Sequence, residues 1–166
     1  ESRDTPYGRI TVSRLHHQIS VFENDALAFE TEGTDAECFV HLAALQHGRP
    51  RRVLILGGGI EGTVREMLQH GPEKIDYVEL NPAMLGLVAG HLPADIRKSV
   101  RDPRVRIIYA DPRLFLIESG TYDLILVGMP EPQSGQTNRF YTREFFEQCA
   151  ARLNAGGVQA FRLRSA

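Results

Sequence analysis

The sequence predicts a doubly wound α/β fold, a mostly parallel sheet with helices on both faces, preceded by a small N-terminal β-hairpin region. Three observations carry this expectation. Strand and helix patterns alternate over short connections from residue 49 onward, which is the signature of parallel pairing through helical crossovers. Val53-Leu54-Ile55-Leu56 and the middle of Asp123 to Val127 are continuously apolar, as a strand covered on both faces must be. The glycine-rich turn Gly57-Gly58-Gly59-Ile60-Glu61-Gly62 follows the first of these strands and opens a helix.

Residues 1–33 read as the small β-region. Tyr7 to Val12 and Gln18 to Phe22 are β-rich and roughly alternating, Glu23-Asn24-Asp25 is a turn, and Ala26 to Thr31 a third short strand. Residues 34–48 form a connecting helix. Thr34 and Glu37 have capping-box spacing, Cys38, Leu42 and Leu45 share its expected inner face, and Gly48-Arg49-Pro50 ends it. Residues 49–166 form the sheet domain, with strands at Val53–Leu56, Lys74–Leu80, Val105–Tyr109, Asp123–Val127 and Val158–Leu163. Its expected helices are Glu61–His70, Pro82–Leu92 with proline in the first turn, and Thr142–Leu153, which buries Phe145, Phe146 and Cys149 and stops at Asn154-Ala155-Gly156-Gly157.

Composition narrows the function classes. A chain of 166 residues with 42% apolar residues fits one ordinary domain with a small appendage. A formal net charge of −2 provides no global field for nucleic acid, and Arg49, Arg51 and Arg52 read as a solvated strand entrance. Two cysteines, Cys38 and Cys149, both in helical patterns, are expected to be buried and reduced, which favours a reducing compartment. No apolar run approaches the roughly 18 to 20 residues that span a bilayer, and no secretory leader is visible. The first residue is not Met and the chain stops abruptly after Arg162-Leu163-Arg164-Ser165-Ala166, so it reads as a piece of something longer.

Ligands of open parallel sheets sit beyond the carboxyl ends of the strands, and the chemistry-bearing residues gather there. Gly57, Gly59 and Gly62 have G-x-G-x-x-G spacing, which lets the backbone turn tightly and directs helix N–H donors at a ligand. Glu79 ends the second strand 22 positions after Gly57, where a carboxylate can accept both hydroxyl hydrogens of a ribose. Asp111, followed by Pro112, ends the third; it suits either an adenine amino group or a helix N-cap. Glu131, between Pro130 and Pro132, suits a general base or amine-binding carboxylate as well as a solvated loop acid. His16-His17 reads as a surface turn and His41 as a helix-interface histidine. No pair of the six histidines has metal-ligand spacing with nearby acids, so no metal is expected, and no nucleophilic Ser-His or Cys-His pattern has supporting context.

Several stretches in order across the chain resemble the spermidine synthases, or polyamine aminopropyltransferases. They are Tyr7-Gly8-Arg9-Ile10, Glu37 with His41, Arg52 to Glu66, Tyr77-Val78-Glu79-Leu80, Asp102-Pro103-Arg104-Val105, Tyr122-Asp123-Leu124-Ile125 and Phe140 to Phe146. The resemblance implies a Rossmann-like domain of the class I methyltransferase type and a role in polyamine biosynthesis. The implied reaction transfers an aminopropyl group from decarboxylated S-adenosylmethionine to an amine, with methylthioadenosine leaving. It also implies that Glu79 binds ribose, that Asp111 lies near adenine, and that His41 lines the amine side. Asn81 takes the place of the Asp in the strand-two Glu-x-Asp pattern, beside the nucleoside. Asn138-Arg139-Phe140-Tyr141-Thr142 is most similar to the bacterial branch fused to membrane-spanning segments, implying a soluble domain on the cytoplasmic face of an anchored parent.

The departures from the family pattern are specific. Ile60 stands where the family's glycine turn has Asp, leaving Glu61 as the neighbouring acid on the substrate side. Gly128 replaces the general-base Asp, and Glu131 alone survives of the pair after the fourth strand. Val40 replaces a Tyr and Gly8 a Gln. The nucleoside side is thus mostly kept while the amine side has lost acids, so ordinary spermidine synthesis is expected to be weak or absent. The alternatives are a non-catalytic module sensing methylthioadenosine, a methyltransferase using S-adenosylmethionine, and, furthest from the strand-end acids, a nicotinamide dehydrogenase. The family's closing strands would be absent, exposing a sheet edge that a homodimer partner or a further segment would cover.

Overall fold

The computed structural model describes residues 1–163 apart from His17, Glu32 and Gln133. The N-terminal region is a four-stranded antiparallel sheet in the order β1 (Ser2–Thr5), β2 (Gly8–Leu15), β3 (Gln18–Glu23) and β4 (Ala26–Glu30). Period-two alternation buries Ile10, Val12, Ile19, Val21 and Phe29 on one face. Asn24 and Asp25, with φ of 50° and 65°, turn β3 into β4, the backbone that a tight hairpin requires of both central residues. His16 is exposed at φ 56°, as expected of a surface turn, while His17 lies outside the described residues.

The main sheet has five parallel strands in the order β7-β6-β5-β8-β9. These are β5 (Arg52–Leu56), β6 (Lys74–Glu79), β7 (Val105–Tyr109), β8 (Tyr122–Val127) and β9 (Leu153–Phe161). The chain begins this sheet in the middle, builds outward to β7, then returns to the other side of β5, so a topological switch point falls between β5 and β8. Alternate residues of each strand feed opposite cores. Val53, Ile55, Ile75, Tyr77, Leu124 and Leu126 face a core shared with the N-terminal sheet, α1 (Asp35–His47), α2 (Thr63–Gln69), α3 (Pro82–Val88) and α4 (Ala94–Ser99). Leu54, Leu56, Val78, Ile125 and Val127 face the other, with Leu116 of α5 (Pro112–Glu118), Phe140, and Phe145 and Cys149 of α7 (Arg143–Ala150). A short α6 (Gly135–Asn138) lies between β8 and α7. No helix among the described residues is long and apolar enough to cross a membrane.

Four expectations are corrected. The inner face of α1 is Ala36, Val40, Ala43 and Ala44, whereas Cys38 is exposed and Leu42 and Leu45 are 66% and 69% exposed. The small residues let α1 approach the glycine turn closely: a Cβ on Gly62 would stand 3.3 Å from that of Ala36. Thr34 does precede α1 but makes no side-chain cap hydrogen bond, so the capping box does not form. The final helix ends at Ala150, and Asn154 to Gly157 lie inside β9, at a register shift against β8, where Gly156 has φ 76°. The glycines thus mark a bulge rather than a helix stop. Phe146 is only partly buried.

Asn81 joins the two sheets. Its Oδ1 accepts from the Ala83 N–H at 3.2 Å to cap α3, and its Nδ2 donates to Thr5 Oγ1 at 3.0 Å. Asn81→Ala removes both bonds and is expected to cost about 1–2 kcal/mol. The check is a lowered midpoint of thermal unfolding.

Candidate functional site

Register places the site. Leu56 pairs with Val78 on one side and Val127 on the other, so the next residues, Gly57, Glu79 and Gly128, emerge side by side at the carboxyl edge. Gly57 and Gly58 have φ of 71° and 68°, a left-handed backbone that side chains rarely adopt. They lead into a 3-10 turn, Gly59–Glu61, and only then into α2, later than the expected start at Glu61. Gly59 lies flat on Tyr77, where a Cβ would stand 2.6 Å from the ring. Above these strand ends opens a cleft of about 690 Å³, closed on its far side by β3, β4 and their turn and flanked by residues 128–131, 134–137, 139 and 140.

Glu79 is the buried acid of this edge. Its Oε1 accepts from the Asn81 N–H at 2.9 Å and its Oε2 from the Tyr77 hydroxyl, so each oxygen keeps acceptor capacity toward the cleft. Burial raises its pKa, against which these hydrogen bonds pull down. The Tyr77 hydroxyl is itself held protonated, first by burial and then by the neighbouring carboxylate. Asn81 lies at the cleft's edge as a helix cap.

The remaining acids are more fully engaged. Asp111 caps α5 through the Arg113 N–H at 2.9 Å, directly before buried Pro112, and its other oxygen meets Arg139 Nη1 at 2.6 Å. The helix-cap reading is realised, with Arg139 standing between Asp111 and the cleft wall it lines. Glu61 is ion-paired with Arg162, which follows β9 and lies over the Phe39 ring at 5.8 Å. Glu131 lines the cleft from the loop after β8 and, after burial, raises the Tyr141 hydroxyl to about 12. That hydroxyl donates to the Met129 carbonyl at 2.8 Å.

These features coincide with a known family. The profile of the spermine/spermidine synthase domain matches residues 32–162. The chain belongs to the spermine/spermidine synthase family. A polyamine aminopropyltransferase of Leptospira interrogans is 35% identical over 163 residues, covering 95% of this chain and 33% of that protein. One from Pectobacterium atrosepticum is 32% identical over 157 residues, covering 86% of this chain and 54% of its own. The chain therefore spans between a third and about half of those relatives' length. Among solved structures, a spermidine synthase in complex with the transition-state analogue AdoDATO superposes with a TM-score of 0.85 at 24% identity, over 97% of this chain and 56% of that one. Spermidine synthase from Thermotoga maritima gives 0.77 at 23%, over 93% and 53%. At these identities the likeness is one of fold.

Against the expectations for a spermidine synthase, two positions stand out. His41 is not in the cleft. Its Nδ1 lies 2.7 Å from His70 Nε2 and its Nε2 3.3 Å from Glu66, between α1 and α2. The side-chain surroundings are those of a helix interface. Gly128 is in the site, and its bareness is used: a Cβ there would stand 2.7 Å from the Gly57 carbonyl oxygen, while one on Gly58 would stand 2.9 Å from the Gly128 carbonyl oxygen. Two strand-end loops meet backbone to backbone where the expected family acid would project.

Sequence reasoning missed Glu23, Arg139 and Arg162 as lining residues. Glu23 ends a strand just before a turn, and only the packing of the N-terminal sheet over the carboxyl edge makes it part of the site. Among the described residues no His/Cys/Asp/Glu group is arranged to hold a metal ion.

Gly128→Ala is expected to destabilise the protein by about 1–3 kcal/mol, because Gly57 or Gly128 must shift. Gly86→Ala, inside α3 where a Cβ meets nothing within 4 Å, is the matched control and should be neutral or stabilising. Chemical denaturation of both variants measures the contrast.

Proposed function

We propose that the cleft binds an adenosine-type ligand, decarboxylated S-adenosylmethionine or methylthioadenosine, with Glu79 accepting the ribose hydroxyls beside the turn Gly57 to Gly62. The observation that carries this is the buried Glu79 carboxylate, held by two donors yet with acceptor capacity left over at the wall of a large cleft. A buried carboxylate gains from each further donor, and a vicinal diol supplies donors of this kind. The volume of about 690 Å³ suits a nucleoside with an extended 5′ substituent. One structural neighbour was solved with the analogue AdoDATO, which supports a ligand of this class here.

For catalysis, a sulfonium nucleoside supplies the activated carbon, and the protein's part is to orient it and to take a proton from the attacking amine, which is charged at pH 7. The groups available for the amine differ from the family pattern. Gly128 offers no acid, Glu61 is neutralised by Arg162, and Glu131 lines the cleft. We propose that spermidine synthesis from a doubly charged diamine is weak or absent. Gly128 also favours a second reading, a ligand-binding module without chemistry. On the resemblance of Asn138 to Thr142, that module would serve a parent protein carrying membrane-spanning segments.

Parallel calorimetric titrations with methylthioadenosine, decarboxylated S-adenosylmethionine, S-adenosylmethionine and NAD test the reading. The first two are expected to bind at micromolar levels, NAD not at all, and Glu79→Gln to weaken the nucleosides by about tenfold or more. Robust putrescine-dependent turnover would overturn the statement on catalysis. NAD binding, or a Glu79→Gln variant of undiminished affinity, would overturn the statement on the ligand.

A further inference from the structure

Glu23 is the last residue of β3, next to the Asn24-Asp25 turn, and its side chain forms part of the cleft wall opposite the strand ends. Its carboxyl accepts no hydrogen bond and makes no ion pair with the described residues. The other acids around the cleft are engaged. Glu79 holds two donors, Glu61 holds Arg162, Asp111 holds Arg139, and Glu131 lies by Tyr141. Glu23 is half-buried and instead faces a like charge, Glu79 of β6. A half-buried, unpaired carboxyl beside a second carboxylate is unfavourable when ionised and is relieved by a cation.

We propose that Glu23 is the residue by which this cleft selects a positively charged nucleoside, one bearing a sulfonium or ammonium group, over its neutral thioether counterpart. The inference rests on the nucleoside reading above and adds the charge of the ligand to it. Without ligand, burial and then Glu79 push the Glu23 carboxyl up to about 7, so it carries its proton about half the time at neutral pH. A cationic ligand stabilises the carboxylate, and the proton leaves to solvent as the ligand enters. No bond in the ligand changes. A neutral ligand has no such exchange. The sign follows: a group with a raised pKa in the empty cleft binds the cation weakly below that pKa and strongly above it. Arg139 and Arg162 also face the cleft, paired with Asp111 and Glu61, and no histidine is among the described lining residues.

The test is calorimetry at pH 6, 7 and 8 with decarboxylated S-adenosylmethionine, S-adenosylmethionine and methylthioadenosine, in buffers of different ionisation enthalpy. The charged ligands are expected to bind about tenfold more tightly at pH 8 than at pH 6 and to release about half a proton at pH 7, from the titration near 7. Methylthioadenosine should be flat in pH. In Glu23→Gln and Glu23→Leu, the ratio of charged to neutral affinity at pH 8 should fall about tenfold and the pH dependence should vanish, with methylthioadenosine binding reporting an intact cleft. Methylthioadenosine binding with no pH dependence for the charged ligands overturns the role of Glu23 alone. So does a pH dependence that survives both substitutions, which would assign it to Glu79. If no nucleoside binds the wild type, the nucleoside reading falls and this inference with it.

Discussion

Because Leu56 is in register with both Val78 and Val127, three parallel strands release their chains at the same height. A glycine turn, a buried acid and a second glycine are thereby brought together at the switch point of the sheet. The contact between Gly57 and Gly128 depends on neither having a side chain, and it sets how near the loop after β8 comes to the turn after β5. That closeness leaves the cleft's floor as peptide backbone, on which a ligand can lie, and moves its charged groups to the rim. The N-terminal sheet completes the enclosure, anchored through the Asn81–Thr5 bond and a core continuous with α1 to α4.

The rim then decides what kind of ligand is tolerated. Two arginines from the last part of the chain, Arg139 and Arg162, pair with Asp111 and Glu61, two of the acids expected near a ligand. Glu79 has no such ion-pair partner among the described residues; neutral donors hold it while burial raises its pKa. Gly128 adds no charge to this edge, so its negative charge lies on Glu79.

Much of the architecture was legible in the sequence because parallel strands buried on both faces have no room for polar residues. Val53 to Leu56 and Leu124 to Val127 announce themselves, and the glycine turn with Glu79 at its fixed distance located the cleft edge. Other features were not legible, for identifiable reasons. On α1 two stripes compete, and the sequence pattern favours the leucines; the alanine stripe is buried because only small side chains fit against Gly62. His41 matches a family position, yet its partners His70 and Glu66 come from α2, a contact no local pattern encodes. Glu23, Arg139 and Arg162 enter the site through packing between segments distant in sequence. Gly128 was legible as a missing acid, but its close approach to Gly57 required coordinates.

The central claim is that Glu79 reads a ribose diol at this edge. Its most direct test is the affinity of methylthioadenosine compared with that of the 2′-deoxy analogue, in the wild type and in Glu79→Gln. A loss of about tenfold on removing the hydroxyl from the ligand, largely abolished in the variant, is the predicted coupling. Equal affinity for the two ligands in the wild type would contradict the assignment of Glu79 and, with it, the account of the cleft as a nucleoside site.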